Sequence, residues 1–473
     1  MKPLLFALLL AGCPLQDGPD DDDSAALDDD DDAVAADPLP VANLDITAVT
    51  ANQGVEVVIM EDGDEIPRNA SLVANRPLLL RAYVAPAAGY VNTIVLGRLT
   101  WDGALHEDST PITGTSEPGD LDSTLHWVID AADVRPDSTF SIELLDSRGG
   151  DGPTGDSHLW PTSGEADVGA ESAGGTLKLV VVPIEYNGDG SGRLPDTSPD
   201  QVELFDALLS RVFPTSDISV EVGPTLVWNT PLTNSGDGWE ELLNAVLELR
   251  NSSNIDVDEY WYGLFKPTET LSDWCSGGCR MGLGFVLDDY NSYWARAGLG
   301  TGFDQFQAMG TMAHELGHLH GRYHADCGGA SGIDPFYPYD DAALGTWGWD
   351  IFGVSGLQDP ETTVDMMSYC DPVWVSDYTW QRLHNRMRLV GGSADLQGVP
   401  TDYWSAAISG EGRVGKARKL VLPVPPAGRV VETVDVDGAP LRGAFVEAAH
   451  TGGGVAIFPR PPSPDSSATV SPR

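Results

Sequence analysis

The sequence predicts a multidomain protein with an N-terminal all-β sandwich, a central α/β (α+β) domain and a small C-terminal β module. The chain has 473 residues, more than one hydrophobic core ordinarily holds, and 41% of them are hydrophobic. Short segments of alternating polarity fill its first third and its last part. In the middle, strand-like and helix-like segments alternate, which is typical of an α/β layer.

The first residues predict an export signal over residues 1–13. Lys2 precedes an apolar run, Leu4 to Leu10, and small residues lead to Cys13. This run is too short to cross a bilayer and has the shape of a secretory signal. The ending Leu-Ala-Gly-Cys resembles a bacterial lipobox, in which Cys13 would carry the lipid. A signal peptide with a chance cysteine is the alternative. We therefore expect export to the bacterial envelope, at the outer membrane or cell surface, with the lipid as the only membrane anchor.

Residues 14–40 predict an acidic, disordered tether. Eleven aspartates and no basic residue lie between residues 17 and 37. Self-repulsion and the scarcity of large apolar side chains keep such a run extended. Calcium capture and a surface-export signal are the alternatives. The whole chain has 26 basic against 72 acidic residues, a net charge of -46, which repels phosphates and excludes nucleic acid as a partner.

Residues 41–165 predict the β-sandwich. Alternating segments from NLDITAV to STFSIELLD are separated by Gly, Pro, Asp and Asn, and no helical pattern interrupts them. A stretch rich in Gly, Ser and Glu, residues 163–175, predicts a linker to the next domain.

Residues 176–392 predict the α/β domain. LKLVVVPIEY, which begins at Leu177, is a continuous apolar run typical of a strand covered on both faces. SPDQVELFDALLSRVF, with Ser198 as N-cap, and GWEELLNAVLELRN have helical spacing, and the segments ISVEVGPTLV and EYWYGLFKP predict strands. Residues 393–460 predict a small β module, and the Pro- and Ser-rich residues 461–473 a disordered tail.

Four of the nine histidines lie in the segment HELGHLHGRYH. The preceding residues predict a helix that begins at an Asp304 N-cap, so His314 and His318 project from one face of it. Gly321, which lacks a Cβ, would let the chain turn sharply and bring His324 round as a third ligand. Three protein ligands with an open fourth position are typical of a catalytic zinc site. Unrelated surface histidines are the alternative, and His320 lies outside the pattern.

The pattern H-E-x-x-H-x-x-G-x-x-H resembles that of the metzincin zinc peptidases, which also carry a methionine turn below the metal. The segment VDMMSYC matches this turn, since Met367 is followed two positions later by Tyr369. The resemblance implies Met367 as the apolar floor of the site and Tyr369 as a ligand of the metal or of the oxyanion. Asp365 and Met366 depart from the pattern. A helix capped by Ser376 follows, as in the family, and the resemblance covers about residues 177–392.

The resemblance implies a zinc-dependent endopeptidase with one catalytic Zn²⁺ and a protein or glycoprotein substrate at the cell surface. Glu315 would be the catalytic base, and Tyr369 would stabilise the oxyanion. The substrate would lie along a sheet-edge strand in the segment MGLGFVLDD. A lipid-anchored surface adhesin or binding protein with an accessory or inactive protease domain is the alternative. Autoproteolytic processing of a structural surface protein is a third hypothesis.

Removal of Cys13 would leave four cysteines, an even set in an exported protein. The resemblance places Cys327 after the third ligand and Cys370 after the methionine turn, which implies a bond between them and a local bond between Cys275 and Cys279. A four-cysteine structural zinc site is the alternative, although the C-x₂-C spacing is absent. The segment NGDGSGRLPD, residues 187–196, offers oxygen ligands for Ca²⁺ or forms a turn.

Overall fold

The protein is rich in β structure and contains several sheets, as the alternating segments at both ends of the chain predicted. The computed structural model describes residues 38–146, 148, 157–253, 256–303, 305–391, 399–449 and 451–472. The predicted signal, Cys13 and nearly all of the predicted tether lie outside these residues. Within the described residues, no helix has the length and apolar character needed to cross a membrane.

Two antiparallel sheets form the N-terminal part of the structure. Its strands are β1 Leu39–Pro40, β2 Leu44–Asn52, β3 Glu56–Glu61, β4 Asp64–Glu65, β5 Leu72–Val73, β6 Leu78–Pro86, β7 Thr93–Trp101, β8 Ala104–Ile112, β9 Leu125–Ile129, β10 Thr139–Asp146, β11 Leu159–Trp160, β12 Ala166–Asp167 and β13 Ala170–Glu171. One sheet has the order β1-β10-β7-β8, with β11 and β12 beside β10, and the other has the order β4-β3-β2-β6-β9. A Cβ on Gly97 of β7 would lie 2.8 Å from Trp127 of β9, so the sheets pack face to face there.

The predicted linker, residues 163–175, is packed structure instead. β12 pairs with β10, and β13 pairs in parallel with β5. Val168 and Ala170 are buried, and Val168 also accepts a hydrogen bond from the Arg68 guanidinium. The prediction is wrong because a few small apolar side chains among the glycines and serines occupy core positions.

The central part of the structure contains the helices and a mostly parallel sheet. Its strands are β14 Leu177–Tyr186, β15 Ile218–Val222, β16 Leu226–Trp228, β17 Tyr260–Phe265, β18 Gly282–Gly284, β19 Ala297–Thr301, β20 Gly348–Trp349, β21 Leu357–Gln358, β22 Val364–Asp365 and β23 Val373–Trp374. Its helices are α1 Pro199–Val212, α2 Trp239–Ser252, α3 Leu271–Trp274, α4 Gln305–Leu319 and α5 Asp377–Gly391. The main sheet has the order β15-β14-β17-β19-β18, and only its edge strand β18 is antiparallel to its neighbour.

Local patterns predicted most of these elements, with two differences. Ser376 caps α5, since its Oγ accepts a hydrogen bond from the Thr379 amide at 3.0 Å, whereas Ser198 precedes α1 without a side-chain cap. The segment predicted as one strand, ISVEVGPTLV, forms β15 and β16, which both pair with β14. The break falls at Gly223, where a Cβ would lie 2.7 Å from Val180.

An antiparallel sheet forms the C-terminal part of the structure. Its strands are β24 Thr401–Ile408, β25 Arg418–Leu422, β26 Arg429–Val434, β27 Pro440–Glu447, β28 Gly454–Phe458 and β29 Thr469–Val470, and its order is β25-β24-β28-β27-β26-β29. The prediction of a disordered tail is wrong, because β29 lies within residues 461–473 and pairs with β26. Ala468 and Val470 pack against the apolar core of this sheet. The Pro- and Ser-rich composition of the segment gave no indication of this packing.

Candidate metal centre

Helix α4 carries the first two histidines of the centre and ends where the sequence predicted. His314 and His318 lie one turn apart on its buried face, while Asp304, the predicted N-cap, lies outside the described residues. Gly321 follows the helix with a φ of +78°, a conformation that favours glycine. A Cβ at this position would also lie 2.8 Å from the Leu287 carbonyl oxygen. The chain therefore reverses at Gly321 and brings His324 back to the helix.

The three imidazoles converge with the spacing that zinc requires. The Nε2 atom of His324 lies 3.3 Å from that of His314 and 3.2 Å from that of His318. Tetrahedral zinc with Zn–N distances of about 2.0–2.1 Å separates its nitrogen ligands by about 3.3 Å. These residues form a group that could hold a metal ion. The donor set and its spacing therefore fit zinc.

Backbone carbonyls orient each ring so that Nε2 faces the centre. The Nδ1 atom of His314 lies 2.8 Å from the Met366 oxygen, that of His318 lies 2.7 Å from the Arg322 oxygen, and His324 makes the same contact with Ser331. Carbonyls only accept hydrogen bonds, so Nδ1 carries the proton and Nε2 presents its lone pair.

Burial keeps the His314 and His324 imidazoles neutral, which is the protonation state that binds a metal. Burial and the neighbouring His324 lower the pKa of His314 to about 4. Burial also lowers the pKa of His324. Metal binding at neutral pH therefore does not have to displace a proton from these two rings.

His320 is the fourth histidine of the segment and stays outside the triad. Its Nδ1 atom lies 2.7 Å from the Leu316 oxygen, and its ring stacks on Tyr260 with 4.6 Å between centroids. The side chain is buried and borders a small recess that none of the three ligand histidines lines. His320 is therefore a core residue just after α4 and not a metal ligand, as the pattern predicted.

The two histidines, His318 and His320, give a matched test of metal binding. We expect wild-type protein to hold one zinc ion per chain, the His318→Gln variant to hold none, and the His320→Gln variant to keep its zinc but melt at a lower temperature. Metal content by mass spectrometry and thermal unfolding by circular dichroism measure these quantities. Retention of zinc by His318→Gln would contradict the three-histidine site.

The methionine turn lies next to the triad, and its two adjacent methionines have different contacts. Met367 is 1% exposed, and a Cβ on Gly317 of α4 would overlap its Sδ atom. Met366 contributes its carbonyl oxygen to His314 instead. Met367 is thus the methionine packed below α4, in the position that the M-x-Y pattern predicted.

Asp365, which departed from the family pattern, ties the turn to α5. Its buried carboxylate accepts hydrogen bonds from the Met367 amide at 2.8 Å and from the Ser376 amide at 2.9 Å. The Ser376 hydroxyl donates to the same carboxylate at 2.5 Å. Sequence reasoning missed this role, because no local pattern shows that Asp365 and the cap of α5 meet.

Glu315 and Tyr369 lie at the triad. Glu315 is 2% exposed, and its side chain packs against Gly282 and Gly284 of the edge strand β18. Burial raises the pKa of Glu315 to about 8, although the Arg280 guanidinium and the Gly284 amide favour the charged form. The ring centroid of Tyr369 lies 5.0 Å from that of His324. Burial also raises the pKa of Tyr369, so its hydroxyl is protonated at neutral pH.

A cleft of about 850 Å³ borders His314, Glu315 and Tyr369. A smaller recess of about 390 Å³ borders His318 and His324. The triad therefore borders two separate spaces. The chain matches no model of a known protein family and no curated protein.

Both predicted disulfides are present. Cys327 is bonded to Cys370, and Cys275 to Cys279, which leaves no cysteine for a four-cysteine zinc site in the described chain. Backbone hydrogen bonds reinforce the first bond, since the Tyr369 amide donates to the Cys327 oxygen at 3.2 Å. This disulfide joins the third-ligand loop to the methionine turn.

Loss of each disulfide should cost different amounts of stability. The separation is 43 residues for Cys327–Cys370 and 4 for Cys275–Cys279. The chain-entropy model predicts losses of about 4 and about 2 kcal/mol in the free energy of unfolding, because the longer loop restricts the unfolded chain more. Urea denaturation of the two double Cys→Ser variants measures both, and equal losses would contradict this account.

The proposed calcium segment, residues 187–196, has the contacts of a turn. The Asp189 carboxylate accepts hydrogen bonds from Ser191 and forms an ion pair with Arg193. Asp196 accepts a hydrogen bond from the Ser198 amide. These carboxylates are thus engaged by residues within or directly after the segment, and calcium binding by it stays a prediction.

Proposed function

We propose that this protein is a zinc-dependent endopeptidase of the metzincin type that cleaves extracellular or cell-surface proteins and is held in the envelope by a lipid on Cys13. One observation carries the proposal. A buried carboxylate, Glu315, lies against an edge strand and directly beside three imidazoles whose spacing fits tetrahedral zinc. A structural zinc site has four protein ligands and needs no adjacent base.

His314, His318 and His324 would hold the zinc ion through Nε2. A zinc ion with three neutral ligands is a Lewis acid that polarises a carbonyl group and makes nearby water more acidic. The residues of the chain must then move protons and position the peptide.

Glu315 is the residue that accepts and returns a proton. Its buried carboxylate, packed against β18 next to His314, is placed to accept and return a proton at the metal. It takes a proton from the water that attacks the peptide carbonyl and delivers it to the nitrogen of the leaving amine. Tyr369, protonated at neutral pH, donates a hydrogen bond to the oxyanion that forms on the substrate.

Strand β18 positions the peptide, because it is the edge of the main sheet. Its end is already occupied, since Ala449 donates to the Gly284 oxygen at 2.8 Å and Val286 donates to the Glu447 oxygen at 3.0 Å. The C-terminal sheet therefore closes the edge beyond Gly284. A peptide that adds to β18 by backbone pairing must therefore pair with the part of the strand around Gly282.

A cleavage assay with metal control tests the proposal. The purified protein should cleave an unfolded mixture of proteins, lose this activity in a zinc chelator and recover it when zinc is added back. A chelated sample that cleaves at the original rate would contradict a zinc enzyme. A zinc-loaded protein that cleaves nothing would contradict the peptidase proposal and favour a surface-binding protein.

A further inference from the structure

The cleft beside Glu315 contains a single guanidinium group, that of Arg280, among the described residues that line it. Most of the lining is apolar, including Leu208, Val212 and Phe306. Apart from the site residues themselves, the other charged side chain there is Asp371. The cleft is thus an apolar trough that carries one positive charge close to the reacting groups.

In the part of the chain that the structure describes, Arg280 forms no ion pair within 4 Å and its guanidinium makes no hydrogen bond. The guanidinium carbon lies 5.9 Å from the centroid of the Trp239 ring, and its charge opposes the rise in the pKa of Glu240 and of Glu315. Arg76 and Arg250 differ, since they are buried and donate to backbone oxygens, Arg76 to Phe213 and Thr215 and Arg250 to Glu259. Among the described residues, the half-buried Arg280 thus keeps its donors available at the cleft.

The backbone of Arg280 is held on both sides. Its amide donates to the Asn234 oxygen at 2.8 Å, and its oxygen accepts from the Trp274 indole at 2.9 Å. A Cβ on Gly236 would lie 2.8 Å from the guanidinium, so glycine at this position leaves room for the side chain. The backbone that carries the charge is therefore held in place before any ligand arrives.

Arg280 lies next to the edge strand and close to the reacting groups. The Cβ positions of Gly282 and Gly284 in β18 both face Glu315. Arg280 lies two residues before Gly282, where β18 begins, and lines the same cleft as Glu315. A peptide paired along β18 would thus present a side chain or its terminus to Arg280 within a few residues of the bond that is cut.

We propose that Arg280 binds a carboxylate of the substrate close to the scissile bond, so that the enzyme prefers acidic peptides. The inference rests on the proposed peptidase function. A guanidinium group matches a carboxylate with two parallel hydrogen bonds, and partial removal from water strengthens the pair. The carboxylate comes either from an aspartate or glutamate side chain or from the C-terminus of the peptide.

Peptide cleavage by zinc-loaded wild type and variants tests this inference. Sequencing of the products from a peptide mixture first locates the position that is enriched in acidic residues. Peptide pairs with Glu or Gln at that position, each with a free or an amidated C-terminus, then give the ratio of kcat/KM values. The Arg280→Met and Arg280→Lys variants are compared with Arg382→Met, a matched change at an arginine outside the cleft.

Wild type should cleave the Glu peptide about tenfold faster than the Gln peptide, the effect expected for one charged hydrogen-bonded pair. The ratio should fall to about 1 in Arg280→Met, keep an intermediate value in Arg280→Lys and stay unchanged in Arg382→Met. A preference that survives amidation assigns the carboxylate to a side chain, and one that requires a free C-terminus assigns it to the terminus.

Equal cleavage of all the peptides by wild type, or the same ratio in Arg280→Met as in wild type, would overturn the role of Arg280 while leaving the peptidase in place. A zinc-loaded wild type that cleaves no peptide would overturn the proposed function, and this inference with it. The two failures are therefore distinguishable.

Discussion

The Glu315→Gln variant should lose about 10²–10⁴-fold in kcat/KM for peptide cleavage and keep its zinc. Glutamine has nearly the same shape, so it preserves the packing against Gly282 and Gly284. The amide cannot accept the proton of the attacking water or return it to the leaving amine. Initial rates on a fluorogenic peptide, with zinc content measured on the same samples, give the two quantities.

A matched control separates the chemistry at Glu315 from the loss of one negative charge. Glu203 lies on the exposed side of α1, far from the histidines in sequence. The Glu203→Gln variant removes the same charge, and we expect it to cleave at the wild-type rate. If Glu315→Gln cleaved within a few fold of wild type with zinc bound, another group would be the base. The role proposed for Glu315 would then be wrong.

The Gly282→Ala variant should lose at least about tenfold in kcat/KM for cleavage. The reason is a close contact between two segments that are distant in the chain. A Cβ at this position would overlap Oε1 of Glu315 and lie 2.7 Å from its Cγ atom. It would also lie 2.7 Å from Thr311 Cγ2 on α4. The methyl group therefore displaces the carboxylate or separates β18 from α4, and overpacking of this kind costs about 1–3 kcal/mol of stability.

The readouts for Gly282→Ala are kcat/KM, zinc content and the melting temperature. Gly114→Ala is the matched control, because a Cβ on Gly114 meets nothing within 4 Å and its φ lies outside the left-handed region. We expect Gly282→Ala to retain zinc, since it contacts none of the three histidines. A variant that cleaves like wild type would show that close contact between β18 and Glu315 is not required.

The sequence predicted the features of the site that depend on local geometry. Helical periodicity places His314 and His318 on one face of α4, and Gly321 supplies the conformation that ends the helix and returns His324. The spacing of Met367 and Tyr369 located the turn below the triad. These features could be predicted because each depends on the conformation of a few consecutive residues.

Composition misled the prediction where a few residues outweighed their neighbours. The segments containing Val168 and Val470 looked polar and flexible, yet each places small apolar side chains against a core. Burial is decided residue by residue, whereas composition averages over a window. A linker and a packed segment therefore look alike in sequence when the apolar residues are small and few.

Tertiary structure alone decided which distant residues complete the site. Gly282 reaches Glu315 because β18 packs on α4, and Arg280 lines the same cleft. Asp365 supports the methionine turn because it also meets Ser376. Ala449, in the C-terminal part of the structure, donates a hydrogen bond to Gly284 and so occupies one end of β18. The sequence by itself determined the histidine triad, the turn below it and both disulfides. The sequence did not predict these other contacts. They depend on how elements far apart in the chain pack together, and no local sequence pattern shows that packing.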